Sequence, residues 1–143
     1  MSSLSFCRIY DMNLIPRSLF QQLKKGDFEG YSDKDLDRLY LYGQLVGQDR
    51  LTQIYAMVDE EKKIRGVLWL SIDPITLVLY VTLCVIDPGF QNYKKNITEV
   101  VNFCRKIRQQ LGLKKVRAFT KNPNVYTKLF GAKKSKLTCV EVD

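Results

Sequence analysis

The stretch that decides the fold runs Leu77-Val-Leu-Tyr-Val-Thr-Leu-Cys-Val-Ile86, then Asp87-Pro-Gly-Phe-Gln-Asn-Tyr-Lys-Lys-Asn96, then a helical pattern to Gly112. Leu77 to Ile86 is an almost unbroken run of Val, Leu, Ile, Tyr and Thr, side chains that suit a pleated surface. Such a run reads as a strand covered on both faces. Pro88 and Gly89 end it. Asn96 then reads as a helix N-cap, with Glu99 at the third position after it. Ile97, Val100, Val101, Cys104, Ile107 and Leu111 fall on one apolar stripe, and Gly112 closes the helix. A buried strand, an amphipathic helix and a short strand, Lys115–Phe119, demand a crossover onto a parallel neighbour. The two segments Leu77–Ile86 and Lys115–Phe119 are therefore expected side by side, splaying apart near their ends.

Working outward, Leu4–Tyr10 reads as a strand with Leu4, Phe6, Arg8 and Tyr10 on one side. Pro16–Lys25 reads as a helix, and Ser32 with Asp35 marks the start of another that runs through Leu36, Leu39 and Tyr40 towards Gly47. Ile54, Ala56 and Val58 alternate along a strand. Residues 59–63 form a charged turn, and Gly66–Ile72 is the return strand, followed by a turn at Asp73-Pro74. Downstream, Asn122-Pro123 opens a short helix in which Val125 meets Leu129 and Tyr126 meets Phe130. Lys136–Val142 reads as a terminal strand. The order β-α-α-β-β-β-α-β-α-β, without internal repeat or linker, describes one domain over residues 1–143, of α+β (α/β-like) class with a mixed sheet.

Composition narrows the chemistry. At 143 residues, 45% hydrophobic and 27% charged, the chain can bury a core, which excludes wholesale disorder. It contains no histidine, so Ser-His-Asp and Cys-His catalysis and any imidazole-built metal site are excluded. Cys7, Cys84, Cys104 and Cys139 form no CxxC pair. Each lies among apolar neighbours and reads as a small core residue in a reducing compartment, the cytoplasm. The apolar region Ile64–Ile86 is broken at Asp73-Pro74 and reads as strands, not as a membrane span. The net charge of +8 is unevenly placed: residues 1–90 hold 10 Lys and Arg against 12 Asp and Glu, and residues 91–143 hold 13 against 3. That asymmetry points to an acidic or phosphate-bearing partner for the second half.

The element order, with its Pro-containing loop between buried strand and amphipathic helix, resembles the GNAT superfamily of N-acetyltransferases over nearly the whole chain. That family carries hydrophobic-x-Pro-x-x-[Gln/Arg]-x-x-Gly-x-[Gly/Ala] at this point. Ile86, Pro88 and Gln91 match, while Lys94 and Asn96 stand where the family has two small residues. The resemblance implies acetyl-coenzyme A as cofactor and no metal. It places the cofactor against Cys84 and Ile86 at the strand end, against Gln91, Asn92, Tyr93, Lys94, Lys95 and Asn96 in the loop, and near Asn122. The loop's backbone N–H groups and the positive end of the following helix would hold the pyrophosphate. Glycine lets a backbone approach a phosphate closely, so the Lys94 side chain either obstructs or, with Lys95, supplies charge directly. Asn96 tolerates left-handed geometry and caps helices.

The segment Tyr126-Thr-Lys-Leu-Phe-Gly131 is similar to the family's short helix, whose tyrosine protonates the departing thiolate. Tyr126 is thereby implied as general acid, with Asn122 capping its helix; packing on Phe130 is the alternative reading. Leu79–Leu83 offer no carboxylate as general base. Trp69, Tyr40, Tyr42, Tyr55 and Tyr80 either line an acceptor cleft or, more in keeping with their spacing, belong to the core. The function implied is acetyl transfer from acetyl-coenzyme A to an amine on a small molecule or protein. The alternatives are a catalytically silent relative that binds a ligand or protein, and a basic nucleic-acid-binding domain. The last lacks any helix-turn-helix, RNP-type or KH-type signature.

Overall fold

Residues 3–21, 32–119, 123–135 and 140–142 are described by a computed structural model. Five strands, β1 (Ser5–Ile9), β2 (Thr52–Val58), β3 (Ile64–Asp73), β4 (Val78–Ile86) and β5 (Lys115–Ala118), form one sheet in that order. Neighbours are antiparallel until β4 and β5, which run parallel. Helix α3 (Tyr93–Gln110) makes the crossover between them. This is the arrangement the apolar run and helical stripe require.

The alternation of side chains sorts the core into two layers. Ile9, Ile54, Ala56, Val67, Trp69 and Val85 face α1 (Ser18–Gln21) and α2 (Asp33–Val46), meeting Leu19, Phe20, Leu36 and Tyr40. Tyr55, Met57, Leu68, Leu70 and Leu79 face α3, meeting Val100, Cys104 and Ile107. Helix α2 begins as expected: the Ser32 hydroxyl accepts from the Asp35 N–H at 3.3 Å, and the Asp35 carboxylate accepts from the Ser32 N–H at 2.8 Å.

A β-bulge positions the site. Leu70 pairs with Val81 and Trp69 with Leu83, so Thr82 is an extra residue in β4. One inserted residue inverts every later side chain relative to the sheet. Leu79 and Val81 lie in the α3 layer, whereas Leu83 and Val85 lie in the opposite one. Cys84 pairs with Leu68 and thus turns towards α3. The bulge coincides with the end of β5, whose pairing stops at Val81 and Ala118.

Several expectations are corrected. β4 is covered on both faces only in its first part: Val78 and Leu79 are buried, but Thr82 and Cys84 are exposed because β5 ends. Cys7 and Cys84 are exposed and only Cys104 is the core residue expected; Cys139 lies outside the described residues. Leu111 is 45% exposed, because α3 ends at Gln110 and the helical stripe stops with it. Of the first expected helix, Ser18–Gln21 is helical, and residues 22–25 lie outside the description. So do residues 136–139 of the expected terminal strand; residues 140–142 carry no strand. Among the described residues, no helix is long and apolar enough to cross a membrane.

Candidate functional site

Past the bulge, β4 runs on to Ile86 with β3 on one side and no β5 on the other. The sheet opens there on the face that carries α3, and α4 (Pro123–Phe130) follows β5 in the chain. Cys84 stands in this opening. Solvent reaches it, yet the surrounding protein atoms push its thiol up to about 12 by desolvation. A thiol so shifted stays protonated and is a poor nucleophile.

At the end of β4 the chain turns over Asp87–Phe90, where the Phe90 N–H donates to the Asp87 carbonyl at 3.0 Å. Gln91 follows with φ +40°, a left-handed conformation that non-glycine residues seldom adopt. Its side chain is tied down, the Nε2 donating to Glu99 Oε2 at 2.7 Å. The other Glu99 oxygen accepts from the Leu4 N–H at 3.0 Å. Helix α3 starts one residue after Asn92, a turn earlier than expected. Asn92, not Asn96, is the cap: its Oδ1 accepts from the Lys95 N–H at 2.7 Å. Asn96 lies inside the first helical turns, 5% exposed, and donates through Nδ2 to the Phe90 carbonyl at 2.9 Å. Its Oδ1 is buried without a hydrogen-bond partner. Glu99 therefore anchors Gln91 and β1; it does not serve the helix cap.

A helix leaves its first N–H groups without intrahelical partners, and the aligned peptide dipoles place positive charge there. Asn92 occupies the group at Lys95, so those of Tyr93 and Lys94 point out from the helix start. Lys94 is exposed, as is Tyr93 at 60%. The backbone groups and ammonium charges suit an anion such as a pyrophosphate. The pyrophosphate of an acetyl-coenzyme A would fit this helix start by charge.

Tyr126 faces the same opening from α4. Burial pushes its phenol up to about 12, with further contributions from the nearby Tyr93 phenol and Cys84 thiol. Its ring lies 6.4 Å from that of Phe130, so the expected packing is present as well. Asn122 lies outside the described residues, and its capping role is not described. Thus Cys84, Tyr93 and Tyr126 come together, while Gln91, Asn92, Lys94, Lys95 and Asn96 form the adjoining turn. Ile86, at the last position of β4, packs on the α3 side.

Trp69, Tyr40 and Tyr55 are 8%, 6% and 8% exposed and belong to the core, while Tyr42 is exposed on α2. The sequence reading missed Arg65. It is the extra residue of a second bulge, between β2 and β3, and bridges Asp59 at 2.7 Å and Asp87 at 3.1 Å. An arginine just past a charged turn, with Asp87 before Pro88, was the available signal; the pairing of distant strands was not. Among the described residues no group of three His, Cys, Asp or Glu side chains could hold a metal ion.

No protein-family model matches the sequence, and no curated protein matches it at the sequence level. Solved structures do resemble it. A possible acetyltransferase from Clostridium difficile 630 superposes with TM-score 0.76 at 10% identity, covering 100% of this chain and 97% of that one. A predicted acetyltransferase with acetyl-CoA from Clostridium acetobutylicum gives 0.71 at 16% identity, covering 99% and 96%. Glucosamine-6-phosphate N-acetyltransferase from Arabidopsis thaliana gives 0.63 at 21% identity, covering 100% and 99%. Sheet order, crossover and superposition agree: the chain has the GNAT N-acetyltransferase fold.

Proposed function

We propose that this chain is an acetyl-coenzyme A-dependent N-acetyltransferase whose acceptor is an amine on a small molecule or protein. The observation that carries this reading is the convergence of Tyr126 with Cys84 on the open half of β4, beside the start of α3. When bound, acetyl-coenzyme A supplies an activated acetyl thioester. The N–H groups of Tyr93 and Lys94, with the charges of Lys94 and Lys95, bind the pyrophosphate. Gln91 and Asn96 hold the turn in shape. Tyr126 keeps a proton on Oη across neutral pH and would donate it to the leaving sulfur as the C–S bond breaks and the amine nitrogen bonds the acetyl carbon. The proton lost by the amine would pass to water, and water would restore the phenol. The basic second half favours an acidic or phosphate-bearing acceptor, and the free thiols fit a reducing cytoplasm.

A catalytically silent binding module is the second reading, favoured by the engagement of the nearby carboxylates. Both Glu99 oxygens accept hydrogen bonds, and Asp59 and Asp87 are held by Arg65. A calorimetric titration of acetyl-coenzyme A into the purified protein, followed by release of free coenzyme A with a panel of amines, separates the readings. Binding with release supports the enzyme; binding without release across the panel supports the silent module. No binding at millimolar ligand defeats the coenzyme assignment.

A further inference from the structure

We propose that Arg65 is a positioning residue for the coenzyme-binding turn, bracing it from the neighbouring strand β3. This rests on the acetyltransferase reading above. Arg65 occupies the bulge in β3, opposite the end of β2, and sends its guanidinium to two carboxylates from different segments. Its Nε donates to Asp59 Oδ2 at 2.7 Å, and its Nη1 donates to Asp87 Oδ2 at 3.1 Å. Asp59 is only 7% exposed and is itself fixed, accepting from the Glu61 and Lys63 N–H groups at 2.9 Å each. Asp87 is the first residue of the turn. Its Oδ1 accepts from the Gly89 N–H at 2.9 Å, and its own N–H donates to the Arg65 carbonyl at 2.7 Å. The guanidinium also sits 5.0 Å from the centre of the Phe90 ring.

The brace therefore runs from a rigid hairpin turn, through one cation, into the residues that precede Gln91 and the start of α3. On the other flank Asn96 holds the Phe90 carbonyl and Glu99 holds the Gln91 side chain. A turn with few glycines has one backbone shape that aims the Tyr93 and Lys94 N–H groups correctly. Fixing that shape before the ligand arrives lowers the ordering cost of binding. A planar fork that reaches two carboxylates at once is the property that separates arginine from lysine.

Arg65→Gln is expected to raise the acetyl-coenzyme A Kd and KM by about 10–100-fold while kcat at saturation changes less than about threefold, since only preorganisation is lost. Arg65→Lys, which keeps the charge but not the fork, should fall between the two. Amide exchange in the ligand-free variants should quicken at Gly89 and Phe90 and stay unchanged in β3. Asp87→Asn provides a check should Arg65→Gln not fold, with the same KM effect and direction. Unchanged affinity in a folded Arg65→Gln, or exchange quickened throughout the sheet, overturns the proposal while leaving the acetyltransferase reading intact. No binding of acetyl-coenzyme A by the unaltered protein overturns both.

Discussion

The two halves of β4 belong to one strand and have similar composition, yet they do different work. Val78–Val81 pairs on both edges, and Leu79 is wholly buried against α3. Past Thr82 the strand keeps its β3 partner, loses β5 and shows Cys84 to solvent on the α3 side. What separates core from site here is one extra residue and the length of a neighbour. Apolar composition alone does not distinguish them.

The comparison breaks first at Tyr126. If the open half is a reaction site, Tyr126→Phe should slow coenzyme A release by about 10²–10⁴-fold with acetyl-coenzyme A affinity nearly intact, because the proton acts in the transition state. An unchanged rate in a folded variant would leave Tyr126 as a packing partner of Phe130. Stability tests the closed half. Leu79→Ala should cost about 2–5 kcal/mol in denaturant unfolding, through lost transfer energy and a cavity. Equal costs for Leu79→Ala and Cys84→Ala would erase the distinction between the halves.

Lys94→Gly sharpens the reading of the helix start, with an expected change in acetyl-coenzyme A affinity of about tenfold. Weaker binding means that the Lys94 charge replaces the small-residue cradle; tighter binding means that the side chain obstructs. Alkaline pH gives a smaller effect. The folded Tyr126 phenol is raised to about 12, so above the ordinary tyrosine pKa of about 10 the unfolded chain ionises first and stability falls as pH rises towards 12. Below pH 10 this contribution is fully present. Tyr126→Phe should shrink that alkaline loss without abolishing it, since burial raises Tyr40, Tyr55 and Cys104 too. The smallest expected change is in Cys84→Ala, within about 0.5 kcal/mol of the parent, because solvent reaches the side chain even though neighbouring atoms desolvate its thiol.

Local chemistry determined much of this protein. The Val/Leu run and the stripe from Ile97 to Ile107 are periodicities that survive in any context, and they compel a strand, a helix and a parallel return. The Ser32 and Asp35 capping box is likewise complete within four residues. Tyr126 was legible only through the resemblance of its segment to a family's short helix, while its place near Cys84 depends on how α4 packs. Only tertiary structure decided the rest. By local rules Asn96, with Glu99 three residues on, is the better cap; the earlier start at Asn92 prevails as Asn96 is buried and spends its amide on the Phe90 carbonyl. The bulge at Thr82 exists only relative to β3, and the opening beside it only because β5 ends at Ala118. Arg65 gains its meaning from Asp59 and Asp87, the latter 22 residues away along the chain. Periodicity records which face a residue turns to, whereas register and long-range ion pairs depend on a second segment that local sequence does not specify.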